Sequence, residues 1–147
     1  MKFEKFLKAT GTRGQIFTRY NGDRWLICDG VGMKVPAEVV NLLGSGEVSE
    51  KIKTLVGELV NADTYDKVHL TRATVSAEGK ANDIVRIFGD ELYIEVGIMN
   101  ADYTLLEKTD VNLAEVGIED SDDLDGKYLV ILNQNDDVIG FIRGVVL

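Results

Sequence analysis

Two arginines, Arg19 and Arg24, stand on either side of Asn21-Gly22. That dipeptide most readily supplies the two positive φ angles of a two-residue type I′ hairpin turn. With the turn there, Tyr20 faces Asp23, Arg19 faces Arg24, Thr18 faces Trp25, Phe17 faces Leu26 and Ile16 faces Ile27. Two guanidinium groups opposed on one sheet face repel each other. An anion between them removes the repulsion, and two planar donor forks suit a phosphate or a carboxylate. Arg19 and Arg24, with Trp25 and Tyr20 beside them, are therefore the candidate anion- or partner-binding group. Three anions are open at this point: a ligand phosphate, the chain's own acidic segment, and the acidic segment of a neighbouring subunit. The plain alternative is a pair of solvated arginines that lean apart.

The acids lie elsewhere. Of the net charge of −9, a balance of −8 falls between Ala101 and Gly126, where nine acids meet only Lys108. The first 34 residues carry +4. A chain polarised in this way attracts anions at one end and cations at the other. Glu119, Asp120, Asp122, Asp123 and Asp125 form its densest acidic run and the candidate acidic interaction surface. Closely spaced carboxylates imitate the phosphate charge density of a duplex. A calcium loop over Ser121–Gly126 is disfavoured, because its twelfth position is Leu132 rather than a bidentate glutamate and a strand follows. The bland reading is a solvated acidic loop.

No other constellation carries recognised chemistry. His69 is the single histidine and Cys28 the single cysteine. A lone strand histidine has no second histidine with which to share a metal, and a lone cysteine reads as a small core residue. Asp29–Lys34 contains two glycines but lacks the spacing and the Lys-Ser/Thr end of a phosphate loop. Gly30 and Gly32 read instead as a sharp exit from the first hairpin. No catalytic residue, metal site or cofactor is expected, and the chain reads as a non-enzyme.

The elements that must position these residues follow from periodicity. Residues 3–9 suit a short amphipathic helix, with Phe3, Phe6 and Leu7 at helical spacing. Val35–Leu43 reads as a second short helix ended by Gly44. Glu50–Val60 is the strongest, with a stripe of Ile52, Leu55, Val56, Leu59 and Val60 behind the candidate cap Ser49. Lys67–Ala77 alternates as a strand, and Glu78–Asp83 is a polar connection. Ile84–Phe88 and Glu91–Ile98 form a hairpin about Gly89-Asp90. The acidic window reads as a draped loop with one helical turn. Lys127–Asn133 and Val138–Leu147 close the chain as a third hairpin. Residues 1–147 thus read as a single globular α+β domain: short N-terminal helices packed on a mainly antiparallel β-sheet built from hairpins.

The chain ends on Phe141, Ile142, Val145, Val146 and Leu147, an apolar run broken only by Arg143 and Gly144. Such an ending is normally tied into a sheet. Burial in the same chain is one account. A strand lent to a neighbour, with those five residues as oligomer contacts, is the other, and a homo-oligomer is expected. A composition of 45% hydrophobic and 28% charged residues is that of a globular protein rather than a disordered one. No apolar run approaches a membrane span, the N-terminus lacks a signal-peptide core, and the lone cysteine suits a reducing cytoplasm.

The stretch Leu70-Thr71-Arg72-Ala73 through Gly79–Phe88, together with Leu105–Asp110, resembles small phage and prophage proteins of gut Firmicutes. The resemblance implies a virus-encoded protein acting on phage or host components, in the host cytoplasm or the virion. It carries no catalytic signature.

Two functional expectations follow. One is a non-catalytic interaction protein, such as a counter-defence inhibitor, using the acidic surface or the arginine pair on a host or phage protein or a nucleotide. The other is an oligomeric, decoration-type virion component in which basic front meets acidic window between copies. An enzyme without a recognisable motif is the remote alternative, and direct nucleic-acid binding is disfavoured by the charge.

Overall fold

Asn21 and Gly22 have φ of 49° and 84°, and Asp29 and Gly30 have φ of 50° and 81°. These two left-handed pairs fold the front of the chain into a three-stranded meander. β1 (Ile16–Tyr20) pairs with β2 (Asp23–Cys28) in the expected register, Arg19 opposite Arg24 and Thr18 opposite Trp25. The second turn corrects the sequence reading. Rather than leaving the hairpin, the chain reverses into β3 (Val31–Lys34), which pairs with β2 from Trp25–Lys34 to Cys28–Val31. Gly32 serves contact rather than exit: a Cβ there would lie 2.3 Å from the Phe141 ring.

The computed structural model describes residues 1–11, 16–38, 50–75, 84–119 and 124–145. Most of the expected Val35–Leu43 helix, its Gly44 stop, the Ser49 cap, the 78–83 connection, Asp120, Asp122, Asp123, Val146 and Leu147 lie outside the described residues. Helices α1 (Phe3–Thr10) and α2 (Glu50–Val60) form where their apolar spacing requires. They are followed by β4 (Asp66–Val75), β5 (Ile84–Gly89), β6 (Glu95–Met99), the single turn α3 (Asn100–Tyr103), β7 (Leu113–Ile118), β8 (Gly126–Leu132) and β9 (Val138–Arg143). All pairings are antiparallel, in one sheet of order β1-β2-β3-β9-β8-β7-β4-β5-β6. The fold is mostly β with three short helices, an α+β composition.

Two expectations about loops are replaced. The β5–β6 connection is not a two-residue turn. Asp90 Oδ1 accepts hydrogen bonds from the amides of Leu92, Tyr93 and Ile94 at 2.9–3.0 Å, winding a longer loop around one carboxylate. The acidic window is not only a draped loop: its middle is strand β7, held between β8 and β4.

Alternation along the strands divides the core into two clusters. Leu55, Val56 and Leu59 of α2 share one with Trp25, Ala114, Val116, Tyr128, Val130 and Phe141. Phe3 and Phe6 of α1 share the other with Leu26, Met33, Phe88, Ile98, Leu113, Leu129 and Ile142. The C-terminal strand belongs to this chain's own core. β9 lies between β3 and β8, Phe141 and Ile142 are fully buried, and the Val145 amide donates to Gly97 O of β6 at 2.8 Å. The described part of the C-terminal strand thus makes its hydrogen bonds and side-chain contacts within this chain. No helix among the described residues is long and apolar enough to cross a membrane.

Candidate functional site

β4 meets β7 through three residue pairs only: Asp66 with Glu115, Lys67 with Ala114 and Val68 with Leu113. Beyond Glu115, β7 continues through Val116, Gly117 and Ile118 paired with β8 alone among the described residues. The connection from α2 into β4 passes beside this open edge. Its course is fixed by Tyr65, whose hydroxyl is shared between the Leu59 and Val60 carbonyls at 2.8 Å and closes the C-terminal end of α2. Burial raises the pKa of that hydroxyl above its ordinary value, keeping it a donor. Asn61 ties the same turn to Gly57 O at 3.0 Å and to the Tyr20 hydroxyl of β1.

Between this connection and the β7 edge lies a cleft of about 370 Å³. Among the described residues Glu58, Asp63, Asp66, Glu115 and Glu119 line it, and no lysine, arginine or histidine does. The last turn of α2 carries no base, so the negative end of the helix dipole adds to the same field.

Glu115 gives the cleft its character. It is 9% exposed and stands directly opposite Asp66 across the ladder. Among the described residues its carboxylate has neither a hydrogen bond nor an ion pair. Burial pushes the carboxyl above the usual carboxylate range, the Lys127 ammonium pulls it back, and Asp66 pushes it up again. A largely buried carboxylate opposite a second one costs stability as far as Lys127 leaves it uncompensated, and a further cation beside them would relieve that cost. Among the described residues no three metal-ligating side chains come close enough together to hold a metal ion. The spread of the acids suits guanidinium or ammonium groups distributed along a chain.

Of the singled-out residues that are described, the structure brings only Glu119 to this cleft. Asp125 is exposed and does not line the cleft. Its carboxylate lies 3.8 Å from Arg143, and its carbonyl accepts a bond from the Arg143 guanidinium at 2.7 Å. The Arg19–Arg24 opposition is present, with the Arg24 guanidinium 5.8 Å from the Phe17 ring centre and Arg19 exposed. Tyr20 is half-buried against Gly57 of α2 and takes a structural part. Trp25 is removed from the candidate surface altogether. It is fully buried, 5.9 Å from Phe141 ring to ring, and so touches core rather than partner.

Glu58, Asp63, Asp66 and Glu115 were missed as a group. The signal was Glu115 itself, an acid inside Leu113-Ala114-Glu115-Val116, where the neighbours alternate as a buried strand does. Reading the window as a loop hid it. No family model, curated protein or solved structure matches the chain.

Proposed function

We propose that this protein is a non-catalytic binding protein that seats an extended lysine- or arginine-rich segment of a partner protein in the acidic cleft. The observation that carries the reading is Glu115, largely buried and set opposite Asp66 in a cleft whose described lining holds five acids and no base. Positive side chains entering there neutralise the repulsion that folding leaves behind. The open β7 edge beside them offers main-chain groups to an added strand, so side-chain charge and backbone pairing act on one ligand. Basic segments of this kind grip phosphates in nucleic-acid-binding proteins, and occupying one blocks that grip. An inhibitor role follows from the same contacts.

An arginine hexamer, titrated calorimetrically into the full chain, tests the reading. The expected result is saturable binding that weakens between about 50 mM and about 300 mM salt. It should be lost in the Asp66→Asn, Glu115→Gln double variant. Undiminished binding by that variant sinks the proposal.

A second reading keeps both partners in the protein family of one: the Arg19–Arg24 pair of one copy entering the acidic cleft of the next. The direct opposition of those arginines, with Arg19 exposed and Arg24 partly so, favours it. Light scattering at low and high salt separates the two, since self-assembly alone gives a salt-sensitive increase in mass without any peptide.

A further inference from the structure

A second cleft, of about 600 Å³, opens where β4 passes from β7 to β5 and where α1 and the 103–111 segment cover the sheet. Its floor is apolar: Phe88 and Leu113 are buried, and Tyr103 stands beside Phe88 with ring centres 6.2 Å apart. At its rim, Leu70 and Val111 are 41% and 79% exposed. Apolar surface left open beside a concave site is what a ligand covers.

The rim is positive on a protein of net charge −9. Lys2 and Lys5 reach it from α1 and its lead-in, Lys108 from the turn after α3, and His69 from β4. Lys2 and Lys108 have no ion pair among the described residues, and Lys5 makes only a long 3.4 Å bond to the Thr104 carbonyl. Two carboxylates also line the cleft, Glu107 and Asp110. Asp110 is already engaged, by the Met1 amine at 2.7 Å and by the Glu107 amide at 2.8 Å. Three lysines therefore line the cleft against one carboxylate, Glu107, that makes no ion pair among the described residues, over an apolar floor.

We infer that this cleft binds a small organic anion, with an oxyanion head held by Lys2, Lys5 and Lys108 and an apolar body laid on Leu70, Phe88 and Tyr103. The volume lies in the range of roughly 300–1,000 Å³ that small-molecule sites occupy. Neutral apolar molecules leave the lysines unanswered, and inorganic anions leave the floor uncovered. A fatty carboxylate and a nucleoside monophosphate both present the required chemistry. This site shares no charged residue with the acidic cleft and stands whether or not that cleft binds a basic segment.

The test uses 1-anilinonaphthalene-8-sulfonate, an aryl sulfonate whose fluorescence rises in apolar surroundings. The folded full chain is expected to bind it saturably at one site. Lys5→Glu with Lys108→Glu, both exposed positions, should weaken binding about tenfold, the scale of one lost charge-assisted contact. Glu115→Gln should leave it unchanged. Displacement by decanoate assigns a fatty carboxylate, and displacement by adenosine monophosphate assigns a nucleotide. Absence of saturable binding, full binding by the lysine variant, or displacement by neither competitor overturns the inference.

Discussion

The two clefts share β4 and β7 and place opposite demands on the fold. Under the lysine rim the floor is core: Phe88 and Leu113 belong to the same buried cluster as Phe3, Leu26 and Ile142. Folding is stabilised by the very atoms a ligand would touch. In the acidic cleft the floor is Glu115 against Asp66, a contact folding must tolerate. An apolar floor is explained by stability alone, whereas a largely buried glutamate set opposite an exposed aspartate is not. The second kind of site therefore points more sharply to a partner.

The strongest way to break this comparison is through the apolar floor. Phe88→Ala should cost about 3–5 kcal/mol, the usual range for emptying a buried phenylalanine site. Denaturant unfolding reads it, and a loss under about 1 kcal/mol would detach Phe88 from the core. Next comes charge reversal at the acidic cleft. Asp66→Lys with Glu119→Lys should weaken the arginine hexamer about tenfold or more, equivalent to about 1.4 kcal/mol. Sulfonate binding at the other cleft should stay intact. Equal losses at both clefts would reveal a general disturbance instead of a local one.

Glu115→Gln sharpens the contrast by moving stability the other way. It should raise stability at neutral pH by about 0.2–1 kcal/mol, the scale of a cross-strand pair. The sign follows from the raised carboxyl. The folded protein holds that proton more tightly than the unfolded chain, so stability falls as pH rises through the ordinary carboxylate range and on through the folded-state value. The glutamine variant lacks that fall, so its advantage should vanish in melts near about pH 4, where the unfolded carboxyl is also protonated. An advantage that survives in acid would belong to packing. The smallest effect is expected from Lys127→Gln. It removes the cation that pulls Glu115 down, moves the Glu115 titration, followed by carboxyl NMR, upward, and costs within about 0.5 kcal/mol.

The front of the fold was legible because local rules decide it. Asn21-Gly22 sets both turn and register, and the Ile52–Val60 stripe sets α2 to the residue. Asp29-Gly30 obeys the same turn rule, yet β3 was lost because four residues, one of them Gly32, show no alternation. That glycine answers to Phe141, more than a hundred residues away, and nothing near it in sequence says so. β7 was lost for the reverse reason: Glu115 and the surrounding acids outweighed the pattern of Leu113, Ala114, Val116 and Ile118. The arginine opposition was read correctly in register. The acidic cleft was not readable, since Glu58, Asp63 and Asp66 precede Glu115 by about fifty residues and meet it only through the β4–β7 ladder.

That ladder is short, and its brevity divides the amides of β4 between two neighbours. Asp66 to Val68 are bonded to β7, whereas His69 onward are bonded to β5, with an irregularity between Leu70 and Arg72. Solvent exchange should respect the seam. The β4–β5–β6 ribbon should open to deuterium as a unit of its own, ahead of β8 and β9, which are paired on both sides. The ribbon's far side is tied by the Val145 amide on Gly97 O at 2.8 Å and by Lys127 Nζ on Glu95 O at 3.2 Å, over the buried Phe88, Val96 and Ile98. A segment near the end of the described chain thus acts as a latch on a third of the strands.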